Sequence, residues 1–162
     1  MARNRRFVVD AAEHAEEIAR FRAFVVQGPE PGDCDIWRGA LSEKGYGRFW
    51  VNRAGGPTVV SAHRYALALQ LGSLNEGECA RHVRCDNPVC VRARVEGGAA
   101  HLVVGTQLDN VNDRIRKGRS RMWLPADVRL ARARRLREAV AGGWDAEAVQ
   151  AALLYSEEPT LF

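Results

Sequence analysis

With 162 residues, 46% of them apolar, the chain suits one compact domain with a modest appendage and leaves no room for a second large core. No run of eighteen apolar residues is present, and the start, Met1-Ala2-Arg3-Asn4-Arg5-Arg6, lacks the apolar stretch of a secretory leader, so a soluble, cytoplasmic protein is expected. The net charge of +4 hides an asymmetry: residues 113 to 137 hold ten Arg or Lys against Asp113 and Asp127, a block of +8, so the remainder sums to −4. Such a block is either a footprint for a polyanion or a solvated basic helix face.

In chain order, residues 10 to 26 carry apolar residues at mixed helical spacing and stop at Gly28-Pro29-Glu30-Pro31-Gly32, which predicts an N-terminal helix followed by a loop. Gly45 to Val51 and Thr58 to Ser61, rich in aromatic and β-branched residues, flank Ala54-Gly55-Gly56-Pro57 and predict a β-hairpin. Ala62 to Leu71 reads as a short buried helix closed by Gly72. Residues 79 to 104 read as a cysteine-rich loop between two short strands, followed by a helix from Thr106, its N-cap, to about Lys117. Beyond a linker at Gly118 to Pro125, two helices are predicted, Ala126 to Ala141 and Ala146 to Leu154, the second capped by Asp145.

Four cysteines in a reducing compartment point to metal ligation or buried thiols rather than disulfides. Cys85 and Cys90 enclose the turn-forming stretch Asp86-Asn87-Pro88-Val89, and Cys34 with His101 would complete a Cys₃His set, which is closed and therefore structural. Cys79, six residues before Cys85, is either an alternative to Cys34 as fourth ligand or a buried thiol, the latter being favoured.

Several motifs stand in one order: Cys34…Trp37-x-Gly39, Gly45-Tyr46-Gly47-Arg48-Phe49, Ala62-His63-Arg64, Cys85-Asp86-Asn87-Pro88-x-Cys90 and His101-Leu102-x-x-Gly105-Thr106-x-x-Asp109-Asn110. Together, over about residues 34 to 119, they resemble the HNH endonucleases related to the His-Cys box homing enzymes. The resemblance implies an α+β fold with a ββα-metal core, a β-hairpin and a structural zinc, flanked by N-terminal and C-terminal helices. It divides the chain into an N-terminal helix (1–30), a zinc-stabilised nuclease domain (31–120) and a basic helical hairpin with a tail (121–162).

By position, the resemblance makes His82 the general base and Asn110 the ligand of a catalytic Mg²⁺ or similar ion, with Cys34, Cys85, Cys90 and His101 holding Zn²⁺. It leaves Arg64 or Arg53 to hold the scissile phosphate. Two departures are visible. His82 stands three residues before Cys85 where the family's histidine stands two before, and a Gly-Ala-rich stretch, Glu96 to Ala100, lengthens the gap between Cys90 and His101. A one-residue shift along a strand turns a side chain to the other face unless a bulge restores it.

The implied activity is hydrolysis of DNA phosphodiester bonds, with a catalytically silent zinc-stabilised DNA-binding module as the alternative. DNA is the expected partner, contacted by Arg129, Arg132, Arg134, Arg135 and Arg137, although a helical hairpin packed on the domain explains those arginines equally well. A homodimer stays open, and the ending Glu158-Pro159-Thr160-Leu161-Phe162 is similar to the peptides that bind the replication sliding clamp, which would make Leu161 and Phe162 its contacts.

Overall fold

A computed structural model describes residues 6–95, 100–119 and 124–155. Among them the order is β1 (Phe7–Val8), α1 (Ala15–Ala23), β2 (Val25–Val26), β3 (Ile36–Trp37), β4 (Arg48–Arg53), β5 (Gly56–Ser61), α2 (Ala62–Leu71), β6 (Ser73–Leu74), β7 (Cys79–His82), β8 (Leu102–Gly105), α3 (Gln107–Arg119), α4 (Ala126–Ala139) and α5 (Ala146–Leu153). The strands form antiparallel pairs, β1 with β6, β2 with β3, β4 with β5 and β7 with β8, so the fold mixes helices with small two-stranded sheets. No described helix is long and apolar enough to cross a membrane.

The β4–β5 hairpin forms where alternation predicts it, with Arg53 opposite Gly56, so the turn narrows to Ala54-Gly55 and the pairing takes in Gly56 and Pro57. Phe49 and Val51 face inward while Arg48, Trp50 and Asn52 face out, the two-residue period of a half-buried strand. α2 follows β5 without a loop and ends at Gly72, whose φ of +81° is the left-handed cap that glycine adopts without a Cβ penalty. The N-terminal helix is shorter than its sequence suggests. Residues 11 to 14 are turns, and Val25 and Val26 leave the helix to pair with Trp37 and Ile36, because β-branched residues gain a cross-strand partner there that a helix would deny them.

An aromatic cluster holds these pieces together. Phe21 of α1 stacks on Trp37 of β3 with ring centroids 5.1 Å apart and lies 4.5 Å from Tyr65 of α2, and Phe49 of β4 sits 4.7 Å from Tyr65. Tyr65 donates its hydroxyl to Glu17 at 2.9 Å, and Glu17 is also paired with Arg53 at 2.6 Å. Ala133, Leu136 and Val140 of the C-terminal helices join the same buried cluster as Ile18 and Phe21 near the N-terminus.

The two glycines of Gly45-Tyr46-Gly47 have separate reasons. A Cβ on Gly47 would lie 2.5 Å from Trp37, and one on Gly45, whose φ is +82°, would lie 2.9 Å from the backbone oxygen of Arg129. Together they let the loop before β4 lie directly between the Trp37 ring and α4.

Candidate metal centre and adjoining cleft

Cys34 precedes β3, and the segment bearing Cys90 is bound to that strand. The amide of Trp37 donates to the Val89 carbonyl at 2.9 Å, and Val91 donates to the Asp35 carbonyl at 2.8 Å. The Asn87 side chain accepts from the Val89 amide and its carbonyl accepts from Cys90, the tight turn that Asp86-Asn87-Pro88 favours. His101, fully buried at the start of β8, donates its amide to the Arg92 carbonyl.

These contacts bring the ligand atoms of Cys34, Cys85, Cys90 and His101 within 4.8 Å of one another. His101 Nδ1 lies 3.7 Å from Cys34 Sγ and 3.5 Å from Cys90 Sγ. Bonds of about 2.3 Å to sulfur and 2.0 Å to nitrogen in a tetrahedron place the two ligand atoms about 3.5 Å apart, so the four side chains could hold a metal such as zinc. The cluster is closed by protein on all four corners and offers no place for a substrate.

The thiols themselves call for a cation. Hydrogen bonds from Cys34, Cys90 and His82 push the Cys85 thiol far down, whereas the neighbouring Cys85 sulfur raises Cys34, and burial raises Cys90. Three buried sulfurs at this spacing cannot all ionise unless positive charge is placed among them. Behind the cluster, Asp35 receives two hydrogen bonds from Arg94, at 2.9 and 3.0 Å, and lies 3.8 Å from Arg92, whose guanidinium also donates to the carbonyls of Glu30 and Asp33. This buried network ties the stretch before Cys34 to the stretch after Cys90. Cys79 stands apart from the four, directing its sulfur to the carbonyls of Gly105 and Thr106 at 3.4 and 3.2 Å.

Beside the metal cluster is a cleft of ≈ 620 Å³ whose walls include Arg48, Ser61, His63, His82, Asn110, Arg114 and Arg129. β7 and α3 line one side, and β4 and β5 line another. At the start of α3, Thr106 caps the Asp109 amide at 3.1 Å while the Asp109 carboxylate accepts from the Thr106 amide and hydroxyl at 2.8 Å, a reciprocal cap that sets Asn110 in the first turn. Those bonds hold the Asp109 carboxyl below its usual range. Arg81 of β7 binds Asp113 of α3 at 2.7 Å and passes over Gly105, where a Cβ would lie 2.1 Å from its side chain.

His82 therefore lines the cleft in spite of its shifted position. Its Nδ1 lies 3.7 Å from Cys85 Sγ, and its buried Nε2 has no hydrogen-bond partner among the described residues. His63, which spacing alone did not single out as a site residue, faces it with ring centroids 5.5 Å apart, and its buried Nδ1 likewise has no partner among the described residues. Burial, helped by the charges of His82 and Arg64, pushes His63 down to about 3.

Other candidates are placed elsewhere. Arg64 donates to the backbone carbonyls of Glu78 and Asn75, and Arg53 is paired with Glu17, so neither lines the cleft. Most of the basic block on α4 is engaged within the chain. Arg129 donates to the Lys44 and Leu124 carbonyls, Arg132 twice to the Tyr155 carbonyl and Arg137 to the Gly39 carbonyl, and Arg135 lies 3.8 Å above the Tyr155 ring. Of these, only Arg129 also reaches the cleft. Leu161 and Phe162, and the insertion residues 96–99, lie outside the described residues.

No protein-family profile and no solved structure matches the chain. Two phage proteins are similar to it. Protein 7.7 of Escherichia phage T7 is 38% identical over 87 residues, which cover 54% of this chain and 58% of that protein. Protein 2.8 of the same phage is 36% identical over 87 residues, covering 54% and 52%. The matched stretch thus spans little more than half the length of either relative.

Proposed function

We propose that the chain is a metal-dependent DNA endonuclease with a ββα-metal core, hydrolysing phosphodiester bonds in the cleft beside the Cys₃His cluster. The observation that carries the reading is the meeting of His82 of β7 and Asn110 of α3, 28 positions apart in sequence, on the walls of one cleft. The resemblance to HNH enzymes supports the same two residues.

The roles follow from the geometry. Cys85 sulfur, as acceptor for the Nδ1–H of His82, holds the tautomer in which Nε2 is unprotonated, and Nε2 has no competing partner among the described residues. That nitrogen takes the proton of the attacking water. Asn110 brings a side-chain oxygen to the cleft, the ligand type that a hard ion such as Mg²⁺ takes. Such an ion, when bound, stabilises charge on the phosphate and the departing 3′ oxygen. Arg48, exposed on β4 and lining the cleft without a partner among the described residues, takes the phosphate-holding role first given to Arg64.

The test is cleavage of supercoiled plasmid by zinc-loaded protein with and without Mg²⁺, beside His82→Ala and Asn110→Ala variants shown by circular dichroism to be folded. Mg²⁺-dependent nicking that falls at least about 100-fold in both variants is expected, the lower range for loss of a general base. DNA binding without cleavage by the wild-type protein would instead identify the silent zinc-stabilised module.

A further inference from the structure

The outer face of the β4–β5 hairpin grows directly out of the cleft. Alternation puts Arg48, Trp50 and Asn52 on one face, about 7 Å from one to the next, and the register places them opposite Ser61, Val59 and Pro57. Arg48, Val59 and Ser61 are walls of the cleft, so Trp50, cross-strand neighbour of Val59, is the next surface met on leaving it.

Trp50 is an unusual residue to leave there. It is 48% exposed and Val59 beside it 44% exposed. It is also held in place: the Arg20 guanidinium donates to the Trp50 carbonyl and sits 5.5 Å from the ring centroid, while covering Phe49 at 4.9 Å. An arginine that anchors the backbone at Trp50 and covers part of its ring narrows the rotamer freedom of the side chain, so less entropy is lost when something lies on it.

We infer that this face binds a single nucleic-acid strand, with an unpaired base stacked on Trp50 and the adjoining backbone led past Arg48 into the cleft. The substrate class is then DNA with unpaired nucleotides beside the cut. Charge complementarity selects a polyanion, because Arg20 and Arg48 flank the ring and Arg114 continues the positive lining inward, while Glu17 is neutralised by Arg53 and, of the cleft's two carboxylates, Asp86 and Asp113, the latter is paired with Arg81 and Arg116. Indole chemistry selects an unpaired base. Tryptophan offers one N–H donor and a broad π-face, too little to read base edges in a groove, and a duplex keeps the faces of its bases stacked on one another. The proposal deepens the nuclease reading in naming its substrate, but the binding it describes is read without catalysis.

Binding of a fluorescently labelled sixteen-nucleotide single strand, and of the blunt duplex of the same sequence, is followed by anisotropy using the full zinc-loaded chain with no Mg²⁺. The single strand is expected to bind more tightly than the duplex. Trp50→Ala should weaken single-strand binding by about 5- to 150-fold, the range for loss of one base–aromatic stack, with duplex affinity little changed, and Trp50→Phe should recover most of it. Equal single-strand affinity in wild-type and Trp50→Ala protein, or a preference for duplex, would overturn the inference. So would a concentration-dependent dimer in sedimentation that Trp50→Ala dissociates, since the face would then belong to a second copy of the chain. Intact stacking with no cleavage under any condition would sink the nuclease reading and leave this one standing.

Discussion

The cleft and the C-terminal helix pair are both rich in arginine, yet they use it in opposite ways. On α4 the guanidinium groups of Arg129, Arg132 and Arg137 reach backbone carbonyls at loops and helix ends, and Arg135 lies on Tyr155. Around the cleft, Arg48 and Arg114 line open space. Carbonyls left over where helices and loops end are strong acceptors, and a side chain with five donors close to several of them becomes a clasp rather than a ligand site. The region with the larger formal charge is therefore the less available to a polyanion. Net charge per segment does not locate a binding surface; what remains after the internal acceptors are satisfied does.

The largest expected effect concerns the metal. Stripping zinc with a strong chelator should lower the stability of the whole domain by on the order of 4 kcal/mol or more when metal had been present at a thousandfold over its dissociation constant. Thermal unfolding with and without chelator measures it, with Cys90→Ser expected to abolish the difference. If the cleft were held without a metal, the two melting curves would coincide.

A smaller effect distinguishes the cleft by pH. His63 is held down to about 3 in the fold, below the usual value near 6.5 when unfolded, so the unfolded chain binds the proton more readily across that interval. Its contribution is fully present above pH 6.5 and is lost as pH falls through 6.5 toward 3. Between pH 7.5 and 5.0 the loss is about 2 kcal/mol. The measurement is the difference in melting temperature between wild type and His63→Phe as a function of pH, in which protonation of the metal ligands cancels. A constant difference would mean that His63 is solvated.

The smallest effects sharpen the contrast between the two sets of arginines. Arg132→Ala and Arg137→Ala should each cost about 1 kcal/mol of stability, the worth of a hydrogen bond from a charged donor at a partly exposed site, and leave DNA affinity unchanged. Arg48→Ala should do the reverse, with unchanged denaturant midpoint and weaker binding whose salt slope falls by about one. An α4 substitution that weakened DNA binding without loss of stability would overturn the distinction.

How much of this was legible beforehand depended on distance along the chain. The hairpin, α2 with Gly72, and α5 with Asp145, which accepts from the Ala148 amide at 3.0 Å, all declare themselves within a few residues. The ligand set was also legible, because cysteine and histidine are rare and their spacing around Asp86-Asn87-Pro88 is informative. The end of α1 was not: nothing between Phe24 and Gly28 signals that Val25 and Val26 will find partners at Ile36 and Trp37. Nor could spacing foretell that Arg64 would turn to Asn75 and Glu78, or that Arg137 would reach Gly39, 98 positions earlier. His63 escaped notice because its proximity to His82 exists only once α2 and β7 are packed. Its one local signal was its place directly after the hairpin in Ala62-His63-Arg64.

The wide separation of the four clustered Cys and His side chains also sets a schedule for synthesis. Cys34 and His101 are 67 positions apart, so at about 5–20 residues per second the first ligand is made roughly 3 to 13 s before the last. Throughout that interval the Cys34 thiol lacks its complete Cys₃His cluster, and for most of it the Arg92 and Arg94 groups that clasp Asp35 do not yet exist. The nascent chain thus passes through a period in which the Trp37 region is present without its fastening, exposed to wrong metal partners and to early association. The order of translation, rather than the finished stability, is where this architecture is most vulnerable.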